Sequence, residues 1–246
     1  MIRKVNCKTE HTVAIMQPTY LPWIGYFDLL DQADTFVFLD SVQFDKRSWQ
    51  QRNRIKTHNG ESFLTVPVMT KGRRNQKISE VEIARTQDFP KKHLRTIEHN
   101  YSKAEHFAYY WDELNSLLKQ DYRYLAELNI TLIKWFKRIL GIHAELIRSS
   151  MLDVKGKRVE LLVEICKSVG AKRYLSPIGS RPYIENNNLF EKQDIDLRYQ
   201  NYSHPEYRQL FKEFIPYMSI PDLLFNEGKK SLEILRSGRK ENIISK

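Results

Sequence analysis

The chain has 246 residues, 41% of them hydrophobic and 12% aromatic, with a formal net charge of +10 at pH 7. These values exclude a disordered tail and allow one large domain or two small ones around a sizeable core. No apolar run approaches the roughly 20 residues of a membrane span, and the opening MIRKVNCKTEHT lacks the apolar middle of a signal peptide, so a cytoplasmic protein is expected.

In chain order, TVAIM (12–16) and TFVFLD (35–40) read as strands buried on both faces. GYFDLLDQA between them reads as a helix, with Asp28 and Asp31 expected near its start, where they suit the dipole. Two apolar strands joined by a helix predict a right-handed βαβ unit in a parallel sheet. RNRIKTHNGESFLTVPV carries two strand-like runs around Asn59-Gly60, a hairpin signal. From about 89 to 140 the pattern is helical, with Gly141 as a stop. HAELIRSS, RYLSP and IDLRYQNY read as strands, and GKRVELLVEICKSVGA as an amphipathic helix in which Cys166 is a small buried hydrophobe. Neither Cys7 nor Cys166 has metal-ligand spacing. YRQLFKEF and PDLLFNEGKKSLEILRSG complete the chain as helices. The expectation is a single α/β domain, a Rossmann-like parallel sheet with a β-hairpin and a helical insertion at about 89–140.

In an open parallel sheet, ligands bind beyond the carboxyl ends of the strands. The first such loop is QPTYLPWIGY. Pro18 and Pro22 stiffen it, Gly25 permits close backbone approach, and Gln17, Tyr20, Trp23 and Tyr26 are candidate walls of a nucleotide pocket. The competing reading is a rigid connection whose aromatics are core. Asp40 ends the second strand, where a metal or ribose ligand is often held. Lys46, Arg47, Trp49, Arg52, Asn53, Arg54 and Lys56 follow, a cationic segment suited to phosphate or carboxylate or else a solvated strand face. Ser180, Arg181 and Tyr183 form a third candidate cluster after a later strand, with Arg181 as the anion ligand. His204, in YSHPEY, has the ordinary basicity of a general base, and a turn-capping role is the alternative. Absence of Walker, Gly-x-Gly-x-x-Gly, Gly-x-Ser-x-Gly and His-Glu-x-x-His motifs argues against P-loop, dinucleotide, α/β-hydrolase and zinc-protease chemistry.

QPTYLPWIGYFDLLDQADTFVFLD, together with DKRSWQQRNRIKT, LTVPV, LGI, ICKSVGAKRYLSP, YSHPEY and LLFNEG, resembles the WbqC-like family from about Ala14 to Gly228. The resemblance implies an association with lipopolysaccharide O-antigen and other surface polysaccharides, and for one branch a transfer of glycine to an amino sugar. A looser resemblance is to nucleotidyl-transferring α/β enzymes with a His-x-x-His or His-x-Gly-His signature, whose loop and helix start bind ATP phosphates. At the matching positions this chain has Pro22 and Tyr26, with no histidine nearby. Either Lys46, Arg47, Arg52 or Arg54 supplies the missing positive charge, or the site binds nucleotide without adenylation.

The resulting expectation is an acyl or aminoacyl transferase that modifies a nucleotide-linked amino sugar. Glycine or another small acyl group would be the donor, activated by ATP or carried on tRNA. Tyr26, Lys46 and His204 are the candidate catalytic groups, and the helical insertion is a candidate lid. No metal is expected. The rival is a non-catalytic module that binds RNA or an acidic partner through dispersed basic runs such as KGRRNQK.

Overall fold

Thr12–Met16 (β1) and Thr35–Phe38 (β2) are buried along nearly their full length and pair in parallel, joined by Ile24–Asp31 (α1). The computed structural model describes residues 10–85, 88–185 and 188–245, so Cys7 lies outside the described residues. Arg52–Thr57 (β3) and Gly60–Thr65 (β4) form an antiparallel hairpin whose turn is His58-Asn59, with Gly60 at φ 101°. Three amphipathic helices follow: Lys91–Tyr101 (α2), Phe107–Lys119 (α3) and Leu125–Leu140 (α4), the last closed by Gly141 in the left-handed region. The chain then returns to the sheet through Glu145–Arg148 (β5), Val159–Ser168 (α5), Arg173–Ser176 (β6), Arg181–Ile184 (α6) and Asp196–Tyr199 (β7). Ile220–Glu227 (α7), Ser231–Ser237 (α8) and Ile243–Ile244 (β8) end it.

The sheet order is β5-β2-β1-β6-β7-β8, parallel except for β8. The chain therefore builds outward from β1 in one direction and then, from β6, in the other. That reversal places the crevice of a Rossmann-like sheet beside the carboxyl end of β1. Strand alternation divides the core into two clusters. Ala14, Phe36, Phe38 and Leu175 belong with α1 to α4, α7 and α8, whereas Val13, Ile15, Val37 and Tyr174 belong with α5. The helical insertion shares the first cluster with the sheet. No helix among the described residues is long and apolar enough to cross a membrane.

Several elements differ from the sequence reading. Asp28 and Asp31 are not in the first turn of α1. Asp28 is buried and accepts from Arg239, Gln32 and Gln200, and Asp31 accepts from Arg236 and Arg239, so the C-terminal basic run closes onto α1. YRQLFKEF, expected to be helical, is irregular, with Phe211 at φ 66°. Its backbone is instead drawn to other groups: the buried Lys56 ammonium donates to the carbonyls of Phe211 and Glu213, and Gln209 bonds both the amide and the carbonyl of Ile215. Asp222, fully buried in α7, accepts from Tyr101, Tyr207 and Gln209 at 2.7–2.8 Å. Burial pushes its carboxyl above the ordinary value and these donors oppose the rise. The final helix breaks into α7 and α8 at Gly228 (φ 53°), and β8 has no counterpart in the sequence reading.

Tyr20 and His93 fasten the first loop to α2. The Thr65 carbonyl only accepts, so His93 Nε2 carries the proton (3.1 Å) and its Nδ1 accepts from the Tyr20 hydroxyl (2.9 Å). Burial lowers His93 to about 4 from its ordinary 6.5. The unfolded chain thus takes up this proton before the folded one. Stability from neutral His93 is complete above the unfolded value and is lost as pH falls from 6.5 towards 4. Urea unfolding should show a loss on the order of 2 kcal/mol between about pH 7 and about pH 4.5 that is absent in His93→Gln. An equal loss in the variant would contradict this assignment.

Candidate functional site

The residues after β1 make a loop that dips into the protein. Tyr20, Leu21 and Pro22 are buried, and Leu21 adopts a left-handed backbone at φ 42°. Its buried carbonyls are met one by one. Asn129 of α4 donates to Pro18 (3.1 Å), Asn53 of β3 donates to Tyr20 (3.2 Å) and Leu21 (2.7 Å), and the Ile220 amide donates to Pro22 (2.8 Å). Gln17 is held by two contacts, accepting from Gln50 Nε2 at its side chain (2.8 Å) and from the Tyr26 hydroxyl at its carbonyl (3.3 Å).

This loop, α1 and the hairpin enclose a cleft of about 250 Å³ at the carboxyl end of β1, lined by Met16, Thr19, Trp23, Tyr26, Trp49, Asn53, Arg54 and Tyr217. Half of the lining residues are aromatic and the wall is mainly apolar, as in small-ligand sites. Tyr26 is buried and packs on Phe27 and Phe36, and burial pushes its hydroxyl well above its ordinary value. Trp23 precedes α1 and lies over Gly25, where an added Cβ would come within 2.1 Å of the indole. The space that Gly25 leaves is therefore occupied by the protein's own tryptophan. Arg54 gives one terminal nitrogen to Glu61 (2.7 Å), while its enclosed Nε–H has no acceptor.

Trp23 is part of an aromatic box with Tyr202, Tyr217 and His204, the imidazole lying nearly parallel to the indole at 6.1 Å and 14°. His204 Nδ1 donates to the Pro205 carbonyl (2.8 Å), so Nε2 carries the lone pair, and it is buried without a partner. Burial holds His204 below its ordinary value, with the Pro205 bond opposing. His204 does not line the cleft but backs two of its walls, Trp23 and Tyr217. Tyr217 is half-exposed on a left-handed backbone at φ 62°.

The profile of the WbqC-like protein family matches residues 17–234, beginning at the first residue of the cleft loop. The chain belongs to this family. The "Uncharacterized protein Rv1507c" of Mycobacterium tuberculosis is 39% identical over 226 residues, covering 91% of this chain and 97% of that protein. No solved structure matches the chain.

In this WbqC-like chain the remaining candidate residues fall into four groups. Lys46 and Arg47 are exposed between β2 and the hairpin, three and two residues before the cleft residue Trp49, and neither side chain has a hydrogen-bond partner among the described residues. Arg52 lies beside them on β3, its guanidinium over Phe63. Pro18 and Tyr20 are buried and Asn53 spends its amide on the loop, so these three fix the shape of the site, and of them only Asn53 lines the cleft. Asp40, expected to be free for a metal or ribose, is fully buried and saturated. It accepts from Arg148 Nε (2.7 Å), Ser149 Oγ, the Ser150 amide and Ser150 Oγ, joining the ends of β2 and β5.

Ser180, Arg181 and Tyr183 lie together after β6, outside the residues lining the cleft. Ser180 bonds Ser176 and the Pro177 carbonyl, and Tyr183 is exposed. Arg181 gives two nitrogens to Glu185 (2.9 and 2.6 Å), which satisfies the charge that an anion would have used. The sequence reading missed Met16, Thr19 and Tyr217 on the cleft wall and Asn129 beneath the loop. A buried Asn at an interior position of α4 was the one available signal, since an amide in an apolar stripe needs partners.

Gly25→Ala tests the position of Trp23. The gain in helix propensity, up to about 1 kcal/mol, should be outweighed by overpacking of about 1–3 kcal/mol. Chemical denaturation should show net destabilisation, and indole emission should change as Trp23 leaves the His204 stack. A variant as stable as the parent with unchanged emission would contradict this placement.

Proposed function

We propose that the protein transfers an acyl or aminoacyl group, glycine being the simplest case, to the amine of a nucleotide-linked amino sugar during surface-polysaccharide biosynthesis. The single observation that carries this reading is the largely apolar cleft at the carboxyl end of β1, with the Arg54 guanidinium on its wall and one terminal nitrogen of that group held by Glu61. An apolar wall suits a sugar ring or base, and a guanidinium with spare donors suits a phosphate or carboxylate. Family membership supports the biological setting.

Part of the dispersed basic charge is already paired within the molecule, which favours a localised site over the dispersed RNA-binding alternative. In three of the basic runs arginines are already committed: Arg73 to Glu82, Arg138 to Glu113, and Arg236 and Arg239 to Asp31 and Asp28. Lys46, Arg47 and Arg52, close in sequence to the cleft residues Trp49, Asn53 and Arg54, have no carboxylate partner among the described residues. In this reading they and Arg54 hold the diphosphate of the substrate or the phosphate of an activated donor. ATP is one source of that activation.

The reaction would proceed by attack of the neutral amine on the activated carbonyl carbon. A C–N bond forms, the bond to the donor's leaving oxygen breaks, and the amine proton passes to a base. His204 is the proposed base. Its Nδ1 is tied to Pro205, its Nε2 lone pair is unused, and its depressed pKa keeps it neutral at ordinary pH. Nε2 is enclosed, so the aromatic packing around His204 must open for it to reach the cleft.

Calorimetric titration with ATP, UDP-sugars and dTDP-sugars tests the site. One nucleotide-linked amino sugar should bind, with affinity falling at least about tenfold in Arg54→Ala and unchanged in Arg181→Ala. The converse pattern, or no binding of any nucleotide, would overturn this reading. With that substrate identified, His204→Gln should lower turnover by roughly 100-fold or more while leaving its affinity unchanged. Full turnover in the variant would remove His204 from the mechanism.

A further inference from the structure

Four side chains of the hairpin region form a continuous stack that packing within the molecule does not require. Arg52 lies over the Phe63 ring at 4.6 Å, and Phe63 stacks on Trp49 at 6.2 Å and 28°. Trp49 in turn carries the Arg54 guanidinium at 5.4 Å. The two rings are 49% and 43% exposed, so a large part of each still reaches solvent. Large exposed aromatics held in a fixed array, with cations at both ends, mark a surface that binds something. One end of the array belongs to the cleft, since Trp49 and Arg54 are among its lining residues while Phe63 and Arg52 are not. The array thus leads from open surface to the proposed reacting centre.

We propose that this Arg52–Phe63–Trp49–Arg54 ladder is a stacking platform for the single-stranded end of an RNA carrier, which delivers an ester-linked aminoacyl group into the cleft. The inference rests on the transferase reading for its reaction, but not for its binding. Successive bases stack on aromatic faces and guanidinium planes without regard to sequence. The unpartnered Lys46 and Arg47, a few residues before Trp49, supply charge for the phosphates. A neutral glycan would use the rings but not the cations, and one free nucleotide would cover only part of the ladder. An extended single strand uses all of it.

The chemistry balances without a further co-reactant. The sugar amine attacks the ester carbonyl, the C–N bond forms and the C–O bond to the terminal ribose breaks. The ribose oxygen leaves as a hydroxyl, taking up the proton that the amine gives up.

Fluorescence anisotropy of the full chain with a short fluorescein-labelled single-stranded RNA ending in CCA, and with its duplex, tests this. The single strand should bind more tightly than the duplex. Its affinity should fall roughly tenfold or more in Trp49→Ala and in Phe63→Ala, recover in Phe63→Tyr, and stay within about twofold of the parent in Arg74→Ala, in a separate basic run. Phe63 does not line the cleft but supports Arg52 and Trp49, so calorimetric binding of the nucleotide-linked amino sugar should fall far less than RNA binding in Phe63→Ala, and circular dichroism reports that the variant is folded. Loss of RNA binding with the sugar nucleotide retained supports the ladder. Equal binding of duplex and single strand, or RNA binding indifferent to both aromatic substitutions, overturns it, and does so whether or not the cleft proves to bind the sugar.

Discussion

A loop buried along most of its length must find partners for its enclosed backbone polar groups, and that constraint organises this protein around residues 17–23. Pro18 and Pro22 have no N–H to satisfy. The carbonyls that remain are met by the Asn129 and Asn53 amides, the Tyr26 hydroxyl and the Ile220 amide. These donors come from α4, β3, α1 and α7, elements widely separated along the chain. Each such hydrogen bond contributes only about 1 kcal/mol net, but leaving a buried carbonyl unmet costs up to about 3 kcal/mol. The loop therefore has one conformation that the rest of the fold is built to accept.

From this follows the form of the cleft. With the loop held from below, Trp23 emerges over Gly25 and meets His204, Tyr202 and Tyr217, while the hairpin brings Trp49 and Arg54 across from the other side. The helical insertion lies under the loop: it shares a hydrophobic cluster with the sheet and supplies Asn129 and His93 as anchors. Its expected role as a lid gives way to one of support. The segment that overhangs the cleft is instead the irregular stretch before α7, fastened through Asp222, Lys56 and Gln209 and carrying Tyr217 near its end.

The sheet was legible where a single local rule governed a segment. Continuous apolar runs marked β1 and β2 because both faces of those strands are covered, and Asn59-Gly60 marked the hairpin because its turn requires a positive φ. The segment 207–214 has helical spacing, yet its backbone groups are taken by Lys56 and Gln209, partners that spacing does not reveal. Site residues followed the same division. Tyr26 and Arg54 were readable as candidates from their places at the start of the first βαβ helix and in the cationic segment that follows the unit. Tyr20 and Asp40 were read as ligand groups because their internal partners, His93 and Arg148, are far away in sequence. Tyr217 was hidden between prolines, where no periodicity distinguishes a cleft wall from a loop.

In the proposed function, ligand occupies the cleft between the first loop and the hairpin. Amide hydrogen exchange with and without a nucleotide-linked amino sugar tests it most directly, because exchange reports on backbone segments whatever the chemistry of the bound group. The account requires slowed exchange at 17–26 and 49–54 and little change at 178–184. Protection centred on 178–184, or spread evenly over the basic surface with none at the first loop, would contradict it.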